Sequence, residues 1–201
     1  MTTKPILFNG AMVRAVLDGQ KTQTRRPVKL GDFPATHVKY IDENQHFQLM
    51  PPDTFVFSYF EEKTPVEVFH PIAPQYRKGT VLWVKETFRL HGGTDECGCG
   101  GDRCHCPPEG TPIYRADMDD GESKWNPSIH MKKQYARIFL EVTSVRCEKL
   151  WDMTSKDARK EGTTHPERFF GEWYVIYPEE DNPFVWVYEF KRCEKPEGWR
   201  S

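Results

Sequence analysis

Residues 17–26 place a lysine, threonines and two arginines directly after a glycine that is suited to ending a helix. Apolar residues at helical spacing precede Gly19, and glycine readily adopts the left-handed backbone found just after a helix. From Lys21 to Arg26 the side chains alternate, as they would on the two faces of a strand. The segment predicts a helix followed by a strand, with a site for an anion or a polar small molecule at the start of the strand. The alternative is a basic edge strand that discourages aggregation.

A second group of reactive side chains is the cysteine cluster at residues 97–106, which has the spacing C-x-C-x4-C-x-C. Four thiolates satisfy one tetrahedral Zn²⁺ ion, and the glycines between them let the backbone bring the sulfurs together. Such a closed shell leaves no position for a reactive water. The cluster predicts a structural zinc site with the ligands Cys97, Cys99, Cys104 and Cys106.

The usual zinc pair is C-x2-C, so other interpretations of this loop stay open. His91 or His105 can replace one of the cysteines as a ligand. The thiols can also form disulfides, which a reducing compartment disfavours, or remain unligated. Cys147 and Cys193 stand singly in strand-like surroundings, which favours burial as small apolar residues.

Short strands and two short helices are predicted around these segments, which defines an α+β fold. The clearest strands are residues 81–88, 137–145 and 184–190, each rich in β-branched and aromatic residues. Helices are predicted from Asn9 to about Asp18 and from Thr154, a capping residue, to Gly162. We expect a single domain with an insertion at about 31–76, a zinc loop at about 91–108 and a polar tail at about 192–201.

The composition sets limits on the partners of this chain of 201 residues. Its formal net charge is −2, so binding to nucleic acid would have to come from a local basic patch. No apolar run approaches the ~20 residues of a membrane span, and the N-terminus lacks the pattern of a signal peptide. We therefore expect a cytoplasmic protein without a membrane partner.

Five collinear segments resemble the ASCH domain family, in the longer form common in phages and prophages. Gly-x-Lys-Thr-x-Thr-Arg-Arg-Pro occupies residues 19–27, and the others are Trp83–Phe88, Tyr114–Asp117, Trp125–Met131 and Trp186–Phe190. The family belongs to the PUA-like superfamily, so the resemblance implies a small, mostly antiparallel β-barrel. In such a barrel the segment with Lys85 and Glu86 would approach Lys21.

Some small ASCH-like proteins are amidohydrolases that remove an acyl group from modified cytidine. By resemblance, Lys21, Thr24 and Glu161 correspond to their catalytic residues. A lysine of lowered pKa can deprotonate a threonine hydroxyl, and a carboxylate can orient the lysine or bind the exocyclic nitrogen. The alternative is that Lys21 and Glu161 form a plain ion pair and that Thr24 is an ordinary strand residue.

PUA-like proteins often bind RNA or modified bases, so a modified nucleoside, RNA or DNA is the expected partner. Two further functions are therefore kept open: a non-catalytic RNA- or DNA-binding module, and a metal-independent ribonuclease. Cations contact phosphates and aromatic rings stack on bases in such sites. The candidates for substrate or nucleic-acid binding are Arg25, Arg26, Lys85, Glu86, Arg115, Trp125 and His130.

Overall fold

The computed structural model describes residues 2–29, 39–41, 55–60, 67–92, 107–178 and 181–199. The chain divides into two compact units. Unit 1 comprises Met1–Gln20, Val81–Leu140 and Arg192–Ser201, and unit 2 comprises Lys21–Thr80 and Glu141–Lys191. In the described part of the chain, no helix is both long enough and apolar enough to cross a membrane.

The described elements are ten strands, three α-helices and three short 3-10 helices, at Ser128–His130, Lys133–Tyr135 and Leu150–Asp152. The strands are β1 (Thr3–Leu7), β2 (Gln23–Pro27), β3 (Lys39–Ile41), β4 (Phe55–Phe60), β5 (Glu67–Ile72), β6 (Val81–Lys85), β7 (Phe88–Leu90), β8 (Pro112–Tyr114), β9 (Phe139–Lys149) and β10 (Phe184–Cys193). The helices are α1 (Gly10–Leu17), α2 (Ser155–Lys160) and α3 (Pro166–Ile176). This mixture confirms the α+β class.

The main sheet has five strands in the order β1-β6-β9-β10-β2. β1 and β6 are parallel, with Thr3 opposite Val81, whereas β10 and β2 are antiparallel, with Tyr188 opposite Thr24. Two smaller antiparallel sheets are β3-β4-β5 and β7-β8. Among the described strands the order is open, with β1 and β2 at its ends, so the barrel closure implied by the resemblance is not observed there.

Local sequence signals set both ends of α1 and α2 as predicted. The Asn9 side chain accepts a hydrogen bond from the Met12 amide at 2.9 Å and so caps α1. Gly19, at φ 72°, and Gly162, at φ 85°, follow the two helices in the left-handed conformation. This conformation is strained for a residue with a Cβ, which explains why glycine stands at both positions.

The third helix, α3, differs from the prediction of two short helices. By composition, the aromatic segment in its C-terminal half, residues 172–177, is compatible with either a helix or a strand. In the structure Phe169 and Trp173, one turn apart, are buried against Leu150, Val185 and Val187. Packing of one aromatic face onto the sheet therefore decides the helical conformation here.

The C-terminal tail packs against the core of unit 1 through Trp199, although its composition predicts a polar tail. The Trp199 ring lies 4.9 Å from the Phe139 ring and 6.1 Å from the Trp83 ring, both edge-on. Lys133 Nζ lies 4.0 Å from the centroid of the Trp199 ring. One large aromatic residue thus anchors an otherwise polar segment.

The cap of α2 gives a first testable expectation, because this helix carries Glu161 at its end. Thr154 Oγ1 accepts from the Asp157 amide at 3.1 Å, and Asp157 Oδ2 accepts from the Thr154 amide at 3.1 Å. Thr154→Ala should lower the free energy of unfolding by about 1 kcal/mol, as measured by urea denaturation. A matched Ser155→Ala change, one residue further on and exposed, should have a smaller effect. Equal losses in the two variants would contradict the capping role.

Candidate active site

Lys21 and Glu161 form a buried ion pair in unit 2, although 140 positions separate them in the sequence. Lys21 Nζ lies 2.7 Å from Glu161 Oε2 and donates a second hydrogen bond, of 2.9 Å, to the main-chain oxygen of Glu161. Their side chains are 0% and 1% exposed. The structure therefore brings together two of the three residues that the resemblance assigns to catalysis.

Backbone contacts between the entry to β2 and the end of α2 position this pair. The Thr22 amide donates to the Lys160 carbonyl at 2.8 Å, directly beside the two charged residues. At the helix end the Gly162 amide donates to Arg159, and the Thr163 amide donates to Ala158. This pattern stops α2 at Glu161, where a cation is favourable because the last carbonyls of a helix carry partial negative charge.

Burial changes the acid–base behaviour of Lys21. Desolvation lowers the pKa of Lys21 below its ordinary value, because the charged ammonium loses its hydration. The carboxylate of Glu161 opposes this change, whereas the charges of Arg26 and Arg25 add to it. A lysine in such surroundings is closer to a usable base than a lysine at the surface.

Arg25 lies in the same interior and is also withdrawn from solvent, with 1% of the residue exposed. Its Nη1 donates to Glu161 Oε1 at 3.0 Å, and its Nη2 donates to Glu148. Asp157 Oδ2 lies 3.9 Å from the same Nη2. The predicted role of Arg25 in binding a phosphate therefore does not fit its position, because carboxylates of the protein already occupy its guanidinium.

A second arginine, Arg146, links the same carboxylates to the neighbouring strands. Arg146 Nε donates to Glu148 Oε2 at 2.9 Å, and Nη2 donates to Asp157 Oδ1 at 3.0 Å. Its Nη1 donates to Glu189 at 3.2 Å, and Lys160 donates to the same oxygen of Glu189 at 2.7 Å. In this network α2, β2, β9 and β10 are held together by cations that alternate with carboxylates.

Thr24, the third predicted catalytic residue, has a different neighbour. Its Oγ1 accepts a hydrogen bond of 2.9 Å from Arg26 Nη1, and Arg26 also donates to the Arg25 carbonyl. Thr24 is buried within β2, where its side chain points to the face opposite that of Gln23 and Arg25. The hydrogen bond of the Thr24 hydroxyl is therefore with Arg26, and not with Lys21 or Glu161, in the described part of the chain.

Glu86 belongs to a separate ion cluster, in unit 1. Arg137 donates to both carboxylate oxygens of Glu86 at 2.8 Å and also binds Asp117. The Arg137 guanidinium carbon lies 3.9 Å from the centroid of the Tyr114 ring. Burial raises the pKa of Glu86, although the hydrogen bonds from Arg137 oppose that change. The partner of Glu86 is thus an arginine of its own unit.

The remaining candidates for nucleic-acid binding are distributed over unit 1. Lys85 Nζ donates to the Ile129 carbonyl, and Arg115, which is exposed, pairs with Asp119 at 2.9 Å. The half-buried Trp125 ring lies 5.7 Å from the guanidinium carbon of Arg89, and His130 is exposed. Of these residues, Arg115 and His130 present polar groups at the surface.

The predicted zinc ligands Cys97, Cys99, Cys104 and Cys106, and the alternative ligand His105, lie outside the described residues. His91 is described and is 6% exposed. Cys147 is buried as predicted, and burial raises the pKa of its thiol to about 12. Cys193 is only half-buried. Within the described ranges, no group of three or more His, Cys, Asp and Glu residues is placed to hold a metal ion.

Unit 2 also contains an open cavity of about 320 Å³, near the end of β2. The predicted catalytic residues do not line it. Ile176, at the end of α3, is 58% exposed and forms part of its wall. The cavity is lined by Pro27, Val28, Lys29, Ile176, Tyr177, Pro178 and Pro183.

The residues that surround the Lys21–Glu161 pair were missed because each looks ordinary in the sequence. Asp157 precedes Glu161 by one helical turn, which places both carboxylates on one face, and this spacing was an available signal. Arg146 and Glu148 alternate along β9 and therefore share one face of the sheet. The sequence contains no signal that this face of β9 contacts the face of α2 that carries Asp157.

Comparison of the chain with protein-family models, with curated proteins and with solved structures finds no match. The geometry of the two ion clusters therefore provides the basis for an assignment of function.

Proposed function

We propose that this chain is an ASCH-like protein of the PUA-like superfamily that hydrolyses an acyl amide on modified cytidine or a related nucleoside. The observation that carries the proposal is the 2.7 Å contact between Lys21 Nζ and Glu161 Oε2. These two residues are the ones that the family resemblance pairs across most of the chain. Burial of Lys21, which lowers its pKa, supports a role as a general base.

In the proposed reaction, the neutral amine of Lys21 takes a proton from a water molecule, whose oxygen attacks the acyl carbonyl carbon. The resulting ammonium then returns a proton to the exocyclic nitrogen as the C–N bond breaks, which releases a carboxylic acid and the free nucleobase amine. Glu161 orients the Lys21 side chain throughout. Water is preferred to Thr24 as the nucleophile because Thr24 Oγ1 accepts from Arg26, on the other face of β2.

The test is hydrolysis of N4-acylated cytidine by the purified protein. We expect turnover in the wild type and its loss, by a factor of about 100 or more, in Lys21→Ala and Glu161→Gln. Lys29→Ala removes an exposed lysine of the same unit and should retain full activity. Thr24→Val decides the nucleophile: retained turnover favours water, and loss favours the threonine hydroxyl. Absence of turnover in the wild type would contradict the proposal.

A second candidate function is binding of RNA or DNA without turnover. The side-chain exposures of 0% for Lys21 and 1% for Glu161 favour a structural role for this pair, so a ligand would bind elsewhere on the protein without turnover. A buried ion pair of this kind also serves to specify one packing arrangement. Binding that weakens steeply with salt, without product formation, would support this candidate. Strand cleavage that survives chelation and is lost in Lys21→Ala would instead indicate a ribonuclease.

We also propose a structural zinc ion on Cys97, Cys99, Cys104 and Cys106, because four soft thiolates suit this metal. The stem of the loop supports the proposal: the His91 amide donates to Thr111 at 2.9 Å, and the Gly110 amide donates to His91 at 2.8 Å. These two hydrogen bonds join the described residues on either side of the cysteine segment, at positions 91 and 110–111.

Elemental analysis of the purified protein should find about one zinc per chain. The double variant Cys97→Ser with Cys104→Ser should contain none, because two ligands cannot retain the ion. Cys147→Ser with Cys193→Ser, the matched control outside the loop, should keep its zinc. Loss of zinc in the control, or its absence from the wild type, would overturn the assignment.

A further inference from the structure

Arg25 is the largest fully buried side chain of the described residues, and its charge lies in the interior of unit 2. Its guanidinium reaches carboxylates from two elements: Glu161 and Asp157 of the α2 segment, and Glu148 of β9. The Phe169 ring centroid lies 6.0 Å from the guanidinium carbon. A cation held in this way cannot serve a ligand directly, so its influence must pass through the groups that it contacts.

The carboxylate of Glu161 is divided between two cations. Its Oε1 accepts from Arg25 Nη1 at 3.0 Å, and its Oε2 accepts from Lys21 Nζ at 2.7 Å. Because Arg25 holds one oxygen, the carboxylate plane is fixed, and the other oxygen is directed at the Lys21 ammonium. Arg25 therefore determines the geometry of a contact to which it does not itself belong.

We propose that Arg25 is a positioning residue for the Lys21–Glu161 pair: its guanidinium fixes the carboxylate of Glu161 that Lys21 contacts. The inference deepens the proposed hydrolase function and, for its catalytic part, rests on it. Among the described residues, the charged groups that act on Lys21 include Glu161 at the end of α2, and Arg25 and Arg26 of β2.

The sign of the effect follows from these neighbours. Removing Arg25 takes away a positive charge beside Lys21, which makes its ammonium easier to retain. It also leaves the negative charge of Glu161 to Lys21 alone, which acts in the same direction. Both changes raise the pKa of Lys21, so a larger fraction of the lysine would be protonated and unable to act as a base.

The test is an NMR titration of Lys21 in protein labelled with ¹³C at lysine Cε. In Arg25→Gln the Lys21 midpoint should move to higher pH. Arg146→Gln is the matched control. Like Arg25, Arg146 pairs with Glu148 and Asp157, but its third partner is Glu189, whereas that of Arg25 is Glu161. In this control the Lys21 midpoint should stay in place. An unchanged midpoint in Arg25→Gln, or equal movement in both variants, would overturn the inference.

Arg25→Lys keeps the charge and loses the two-pronged guanidinium, so it separates charge from geometry even if Arg25→Gln does not fold. We expect the Lys21 midpoint to stay near that of the wild type, while the hydrolysis rate falls about tenfold because Glu161 is no longer fixed. Full hydrolytic activity in Arg25→Lys would overturn the positioning role.

Hydrolysis gives an independent measure. In Arg25→Gln the acid limb of the pH–rate profile should move to higher pH, together with the Lys21 titration. If neither the wild type nor any variant hydrolyses acylated cytidine, but the titration midpoint of Lys21 moves in Arg25→Gln, the proposed function fails and the electrostatic inference stands. If the wild type is active and Arg25→Gln changes neither the midpoint nor the acid limb, the proposed function stands and the inference fails.

Discussion

Replacing Lys21 with methionine should destabilise unit 2 by about 3 kcal/mol, because it leaves the buried carboxylate of Glu161 with one cation in place of two. Methionine matches the length of the aliphatic chain, so the loss reports on the charge and not on a cavity. The variant also loses the hydrogen bond to the Glu161 carbonyl at the end of α2. The measurement is the free energy of unfolding from urea denaturation at neutral pH.

A double-mutant cycle tests whether this loss comes from the pair. Lys21→Met combined with Glu161→Gln should be more stable than the sum of the single effects predicts, with an interaction energy of about 1–3 kcal/mol. Lys29→Met, on the surface of the same unit, should change stability by less than about 0.5 kcal/mol. Strict additivity of the two single changes would show that Lys21 and Glu161 do not stabilise one another.

Replacing Arg137 with methionine should have a comparable effect in unit 1, about 3 kcal/mol at neutral pH, because Glu86 would be left buried without its ion-pair partner. Glu86 is 1% exposed as a residue, and Arg137 supplies hydrogen bonds to both of its oxygens. The change also removes the contact of the guanidinium with the Tyr114 ring. The measurement is again the free energy of unfolding.

The pH dependence distinguishes this mechanism from simple loss of packing. Burial raises the pKa of Glu86 in the folded protein above its unfolded value, and removing Arg137 raises it further. A raised carboxyl pKa gives stability that is fully present below the unfolded pKa and is lost as pH rises through the folded pKa. Arg137→Met should therefore be less destabilised, relative to wild type, near pH 4 than at pH 7.

Arg115→Met provides the control for this second prediction. Arg115 and Asp119 are paired at 2.9 Å, but their side chains are 50% and 42% exposed. Exposed pairs of this kind contribute between about 0 and 1 kcal/mol, so the variant should remain close to the wild type. A destabilisation by Arg137→Met that is the same at pH 4 and pH 7 would show that the charge of Glu86 is not its cause.

The interpretation of the polar residues changes most between sequence and structure. The sequence leaves open whether Glu161 is a catalytic residue or part of a plain ion pair, and in the structure only 4% of the residue is exposed. Arg25 looked like a phosphate-binding residue, and it holds carboxylates of its own unit. The chemistry of a charged side chain depends on what faces it, and those partners come from distant parts of the chain.

Local signals alone determined where the first two helices begin and end, since Asn9, Gly19, Thr154 and Gly162 act on backbone groups within a few residues of themselves. Trp83 and Trp186 lie in segments rich in apolar residues, and both are buried in the structure. The tertiary structure decided the helical conformation of α3, the anchoring of Trp199 and the neighbours of Lys21. Those features depend on contacts between segments far apart in the chain. Residue types and spacing within one segment do not specify which distant segment will pack against it.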